Sequence, residues 1–169
     1  FTKRITMSAT ENKSDLINVD LKTGRVVIRL RPDIAPLAAE RIRTLAAEGF
    51  YDNTPFHRVI HGFMAQGGDP TGTGTSGSKL PDLKAEFTNK AKFERGTVGM
   101  ARTMNPDSAN SQFFIMFEPS PHLDGQYTIV GQVIEGMDHI DQIKRGSGQS
   151  GMVQDPDRII RMRPADAEG

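Results

Sequence analysis

FHRVIHGFMAQGG, residues 56–68, decides how the rest of the chain is read. Its apolar residues Phe56, Val59, Ile60, Phe63 and Met64 suit a buried strand, yet Arg58, His57, His61 and Gln66 interrupt them. On a two-residue period Arg58 shares a face with Phe56 and Ile60. A lone guanidinium on an apolar face is costly unless it finds partners or reaches water. Two readings stay open from these residues alone. One is a structural arginine that snorkels or forms a salt bridge. The other is a cation held over a hydrophobic pocket, with Gln66 as a neutral neighbour. Ser111-Gln112-Phe113-Phe114 and His122-Leu123-Asp124-Gly125 could supply further walls of such a site.

Outward from this stretch, short β-rich runs recur between Gly, Pro, Asn and Asp. LINVDL (16–21) and RVVIRL (25–30) flank Lys22-Thr23-Gly24, a hairpin signal. PLAAERIRTLAAEGF (36–50) changes to a helical period, with Leu37, Ala38, Ile42, Leu45 and Ala46 on its apolar face. Pro36 suits the first turn and Gly49 the C-terminal stop. Strand-like runs follow at 56–60, 63–66, 97–101, 112–117, 128–134 and 158–163. GMDHIDQIKR (136–145) reads as a second helix, with Ile140 and Ile143 inward and Lys144 and Arg145 favouring its C-terminal end. About eight strands and two helices predict a mainly β fold, a barrel or sandwich with helical caps. Residues 15–164 read as a single domain, 1–14 as a loose N-terminal tail and 165–169 as a C-terminal tail.

The whole chain bounds the function. Its 169 residues suit one domain with a full core. Lys+Arg and Asp+Glu balance at 21 each, so no basic excess points to nucleic acid. The absence of cysteine excludes disulfides, thiol catalysis and cysteine metal sites. No apolar run approaches the ~20 residues of a membrane span. Met7-Ser8-Ala9 reads as a natural start, with six extraneous residues before it, and a cytoplasmic, monomeric protein is expected. A signal peptide already removed upstream, with a periplasmic destination, would leave the same sequence.

Other motifs offer less. GTGTSG (72–77) fits GxGxxG by spacing, but SKLPDLK follows it and provides no helix for a phosphate, so a flexible surface loop is the better reading. His57 and His61 have the i, i+4 spacing of a metal-binding helix. Pro55, Gly62 and the β-branched Val59 and Ile60 argue instead for strand and turn, which would separate the rings by about 13 Å. No GxSxG elbow or HExxH is present.

FHRVIHGFMAQGGD (56–69), GTVGMAR (96–102), SQFFI (111–115), LDGQYTIVGQV (123–133) and EGM (135–137) occur in this order. Through them the chain resembles the cyclophilin-type peptidyl-prolyl cis-trans isomerases, from roughly residue 16 to 163. The compact AAEGFYDNTPFHRV passage (46–59) is similar to the prokaryotic branch. The resemblance implies a closed eight-stranded antiparallel β-barrel capped by two α-helices, with the active site in a groove on its outer surface. It implies catalytic roles for Arg58, Gln66 and Phe63, and a proline pocket of Phe63, Met64, Phe114 and Leu123. Ala101, Arg102 and Gln112 match the neighbouring groove, where backbone groups at 102 would hold the substrate chain. His122 and Tyr127 also match substrate-binding positions. His122 stands where many eukaryotic members carry a tryptophan important for cyclosporin, and Tyr127 where they carry a histidine, so weak cyclosporin binding is expected.

The implied enzyme needs no cofactor and no metal, since rotation about an Xaa-Pro bond breaks no covalent bond. Its partners would be proline-containing peptides and unfolded or flexible chains during protein folding, with no nucleic acid and no membrane. The alternative is a chaperone or scaffold module of the same fold that binds proline segments with little turnover. A purely structural barrel leaves the arginine-bearing groove unexplained.

Overall fold

The structure is a computed structural model that describes residues 13–168. Eight strands are joined antiparallel into one strongly curled sheet: β1 (Leu16–Leu21), β2 (Gly24–Leu30), β3 (Arg58–Ile60), β4 (Met64–Gly67), β5 (Thr97–Met100), β6 (Phe113–Met116), β7 (Ile129–Glu135) and β8 (Arg161–Pro164). Their order is β3-β4-β6-β5-β7-β2-β1-β8. The first hairpin forms as its turn residues predict, with Leu21 opposite Gly24 across Lys22 and Thr23.

The expected closed barrel is not fully closed. The sheet has two ends, β3 and β8, and no ladder joins them. The segments before these strands meet instead, through a single Pro55–Arg158 bridge and backbone bonds from Asn53 to Ile159, Ile159 to Thr54 and Phe56 to Asp157. Pro55 has no N–H to donate and Asn53 has φ 63°, so this stretch cannot run as a regular strand. The result is a curled half-barrel sealed by an irregular seam.

Helix α1 (Pro36–Ala47) buries Ala38, Ala39, Ile42, Leu45 and Ala46 against the sheet. The expected apolar face needs two corrections. Leu37 is 46% exposed, and Arg41 is buried, donating to the carbonyls of Pro81 and Asn110. The first-turn N–H groups of Leu37 and Ala38 donate to the Glu86 carboxylate, a cap supplied from far along the chain. Helix α2 (Met137–Asp141) is shorter than the expected 136–145, because the N–H of Lys144 is taken by Asp157. Ile140 and Ile143 are nevertheless buried, and Arg145 donates to the carbonyls of Asp141 and Ile143 at the helix end.

Residues 1–12 of the expected N-terminal tail lie outside the described residues, whereas Lys13–Asp15 form a 3-10 turn. Ala165–Glu168 form another, so the expected C-terminal tail is ordered through Glu168; Asp166 pairs with Arg43. Among the described residues, no helix is long and apolar enough to cross a membrane.

Candidate active site

Register builds the site. Across neighbouring strands Arg58 on β3 lies opposite Gln66 on β4, Gln66 opposite Phe114 on β6, and Phe114 opposite Gly99 on β5. Because side chains alternate between faces, this row shares one face of the sheet. The adjacent row, Val59, Ala65, Ile115 and Val98, shares the other and lies in the main core. The main core fills the inside of the curl. A second hydrophobic cluster on the outer face holds Met64, Phe93, Phe114, Met116, Leu123 and Ile129, with Ile60, Phe63, Ala101 and Tyr127 half-buried at its margin.

One sequence expectation fails here. Phe56 does not share a face with Arg58: β3 begins at Arg58, and Phe56 is fully buried in the inner core against Phe113. The regular period therefore starts two residues later than the apolar pattern suggests.

Arg58 is half-buried and has no carboxylate partner among the described residues, so its salt-bridge reading is not realised. Its Nε donates to the Ser150 carbonyl at 2.8 Å and its Nη1 to Gln66 Oε1 at 3.4 Å. Gln66 Nε2 donates to Gln112 Oε1 at 2.9 Å, and Gln112 Nε2 donates to the Ser76 carbonyl at 2.9 Å. Every acceptor in this chain is neutral, so the guanidinium charge remains directed at the groove.

Beside the guanidinium lies an aromatic cluster. Phe93 stacks on Phe114 at 5.7 Å, and Tyr127 meets Phe114 edge-on at 5.6 Å. Gly99 makes the stack possible: a Cβ there would lie 2.6 Å from Phe114 and 2.7 Å from Phe93. His122 is exposed and tilts 30° to Phe63 at 6.0 Å. The Arg102 guanidinium covers the Tyr127 ring at 4.6 Å while its Nε and Nη2 donate to the Gln126 carbonyl. Ala101 is tied to the next strand by its N–H to the Gln112 carbonyl.

The row continues into an open cleft of about 610 Å³ between Gln66, Gln112, Ala101–Thr103 and the 74–78 loop. That loop is the GTGTSG segment, and it is better organised than a slack surface loop. Asp69 is fully buried and accepts from the N–H groups of Thr71, Gly74 and Ser76 and from the Thr71 hydroxyl. Burial pushes the Asp69 carboxyl up, but these hydrogen bonds outweigh it and hold it below its ordinary value. His57 lies beneath the loop, 3% exposed, and its pKa is lowered mainly by burial, with Arg58 adding to the effect and Asp69 opposing it. His61 is exposed in the turn after β3, so the two histidines do not converge. Among the described residues, no group of three or more His, Cys, Asp or Glu side chains could hold a metal.

All eleven residues singled out in the sequence border this outer face or its cleft. Sequence reasoning missed Phe93, Ser76 and Ser150. Phe93 stands alone among charged neighbours in KFERG, and the other two act through backbone carbonyls, which carry no residue-type signal.

Comparison with known proteins agrees with this geometry. The family profile described as "Cyclophilin type peptidyl-prolyl cis-trans isomerase/CLD" matches residues 16–164. A Brucella suis protein named "Probable peptidyl-prolyl cis-trans isomerase" is 51% identical over 168 residues, covering 92% of this chain and 85% of its own. A Helicobacter pylori peptidyl-prolyl cis-trans isomerase is 42% identical over 137 residues, covering 79% and 83%. Among solved structures, a Cryptosporidium parvum cyclophilin-type isomerase crystallised in the presence of the dipeptide Ala-Pro superposes with a TM-score of 0.82 at 32% identity, covering 88% of this chain and 98% of its own. A cyclophilin from Hirschia baltica reaches the same TM-score at 26% identity, covering 97% and 80%. Ordered motifs, a curled eight-stranded sheet and an arginine-bearing outer face thus meet in one conclusion: the chain belongs to the cyclophilin-type peptidyl-prolyl cis-trans isomerases and is an isomerase of that kind.

Proposed function

We propose that the protein accelerates rotation about Xaa-Pro bonds in protein chains without covalent chemistry, with Arg58 donating a hydrogen bond to the prolyl nitrogen. The observation that carries this reading is the Arg58 guanidinium, held by two neutral acceptors beside a partly exposed apolar cluster on the outer face. Twisting the bond sacrifices amide resonance, a barrier of ~18–20 kcal/mol. In the twisted state the nitrogen becomes pyramidal and gains a lone pair. A fixed donor aimed there is felt more strongly by the transition state than by the planar ground state. Such a donor is worth roughly 3–4 kcal/mol, on the order of 10² to 10³ in rate.

The proline ring sits in the pocket of Phe63, Met64, Phe114 and Leu123, which grips it while the preceding carbonyl turns. Gln66 aligns the guanidinium, and its own orientation is set by Gln112 and the Ser76 carbonyl. The chain before the proline runs past Ala101 and Arg102, with Tyr127 supporting Arg102. The Ala-Pro dipeptide used with the Cryptosporidium parvum relative supports a proline-containing ligand for this groove. Flexible or unfolded clients in the cytoplasm, met by a monomer during protein folding, complete the reading.

Two-dimensional exchange NMR on an Xaa-Pro peptide with a trace of protein tests it. Wild type should give cis/trans exchange cross-peaks, and Arg58→Ala should lose them while its own spectrum stays folded. Exchange undiminished in Arg58→Ala would overturn the arginine's role.

A further inference from the structure

We infer that the loop of residues 146–152 is a positioning device for Arg58, acting through the Ser150 carbonyl; this rests on the proposed role of Arg58 as the donor. β3 is three residues long and has one ladder neighbour, β4, at the end of the sheet. Its other edge would leave backbone groups unpaired. The 146–153 segment runs along that edge instead. Val59 N donates to the Gly151 carbonyl at 2.8 Å, Gly146 N to the Val59 carbonyl at 2.8 Å, and Val153 N to the His57 carbonyl at 3.0 Å. Arg58 itself faces Met152, and the loop is folded onto itself by Ser147 N donating to the Met152 carbonyl at 3.3 Å.

This path carries the Ser150 carbonyl to the Arg58 Nε, 92 positions away in the chain. Gly151 is what allows so close an approach. Its φ is +72°, and a Cβ there would lie 2.5 Å from Ile60 Cγ1 and 3.2 Å from the Val59 carbonyl oxygen. A larger residue therefore has to lift the loop from β3, taking the neighbouring carbonyl with it.

The chemistry of the contact suits a donor. An unrestrained arginine spreads over many rotamers, and ordering it during the reaction costs free energy. A bond at Nε fixes the plane of the guanidinium while leaving both Nη groups to face Gln66 and the groove. A neutral carbonyl does so without neutralising the charge, as a carboxylate would. The loop thus sets the orientation of the fork and Gln66 restrains one tine.

The test compares wild type, Gly151→Ala, Arg58→Ala and the double variant, each by isomerisation kinetics and by equilibrium binding of an Ala-Pro-containing peptide. Gly151→Ala should lower kcat by about ten- to a hundred-fold, as misplacing a reacting group does. Peptide affinity should fall by much less than kcat, because of the outer cluster only Ile60, half-buried at its margin, has to shift. In the Arg58→Ala background the same change should add nothing. A measurement on wild type needs no variant to fold: a coupling across the hydrogen bond from Arg58 Nε to the Ser150 carbonyl carbon should be visible by NMR. Absence of that coupling overturns the inference. So does an undiminished kcat in Gly151→Ala, or an equal loss in both backgrounds. If Arg58→Ala alone keeps full activity, the donor reading falls and any catalytic purpose of the contact falls with it. Loss in Arg58→Ala with full activity in Gly151→Ala overturns the positioning inference alone.

Discussion

The two faces of the β3-β4-β6-β5 strands do opposite jobs with the same backbone. The inner row of Val59, Ala65, Ile115 and Val98 is sealed, and each of its members is at most 2% exposed. The outer row of Arg58, Gln66, Phe114 and Gly99 mixes a cation, an amide, an aromatic ring and a residue with no side chain. The inner face buries apolar surface and stabilises the fold. The outer cluster is left unfinished: Phe63, Ile60, Ala101 and Tyr127 stay half-buried at its edge, where a ligand's apolar surface can complete it. An arginine among apolar residues thus finds neutral acceptors on the outer face, and would be a defect on the inner one.

That division can be broken from either side. The largest effect belongs to the outer face. Arg58→Lys keeps the charge but loses the fork, and should lower kcat/KM by on the order of 10²-fold in the peptide exchange assay. Its urea midpoint should stay close to wild type, and a large fall would mean that Arg58 is structural after all. On the inner face Ile115→Ala should cost about 2–5 kcal/mol of stability by denaturant unfolding. Turnover per folded molecule should survive, since Ile115 points away from the groove.

Smaller effects sharpen the comparison. His122→Trp enlarges the outer aromatic surface and adds an indole donor, so cyclosporin should bind about tenfold more tightly, ~1.4 kcal/mol by calorimetry. An unchanged affinity would place the pocket boundary elsewhere. The smallest effect concerns His57, buried beneath the 72–77 loop. Its folded pKa is depressed, so below the ordinary histidine value of about 6.5 the unfolded chain takes up a proton that the folded one refuses. Its contribution to stability is therefore present above that value and lost as pH falls from it towards the lower folded pKa. The urea midpoint of wild type should decline over that window, and His57→Gln should flatten the decline. Equal slopes would assign the acid sensitivity to another group.

Much of this was legible in the chain. The strand-like apolar run at 112–117, the hairpin at 22–24 and the helix after Pro36 are local patterns, because strand and helix periods follow from backbone geometry within a few residues. The polar break in the outer face was legible through Arg58 and Gln66, polar residues at positions where an apolar strand would not place them. Tertiary structure decided the rest. It moved Phe56 into the inner core, turned Leu37 outward, and capped α1 with Glu86. It left the half-barrel with a seam where Pro55 cannot donate. It also brought Phe93 onto Phe114 and the carbonyls of Ser76 and Ser150 to Gln112 and Arg58. The reason is physical: period is a property of neighbours along the chain, whereas every residue carries a carbonyl, and only the path of the folded backbone decides which one meets the guanidinium.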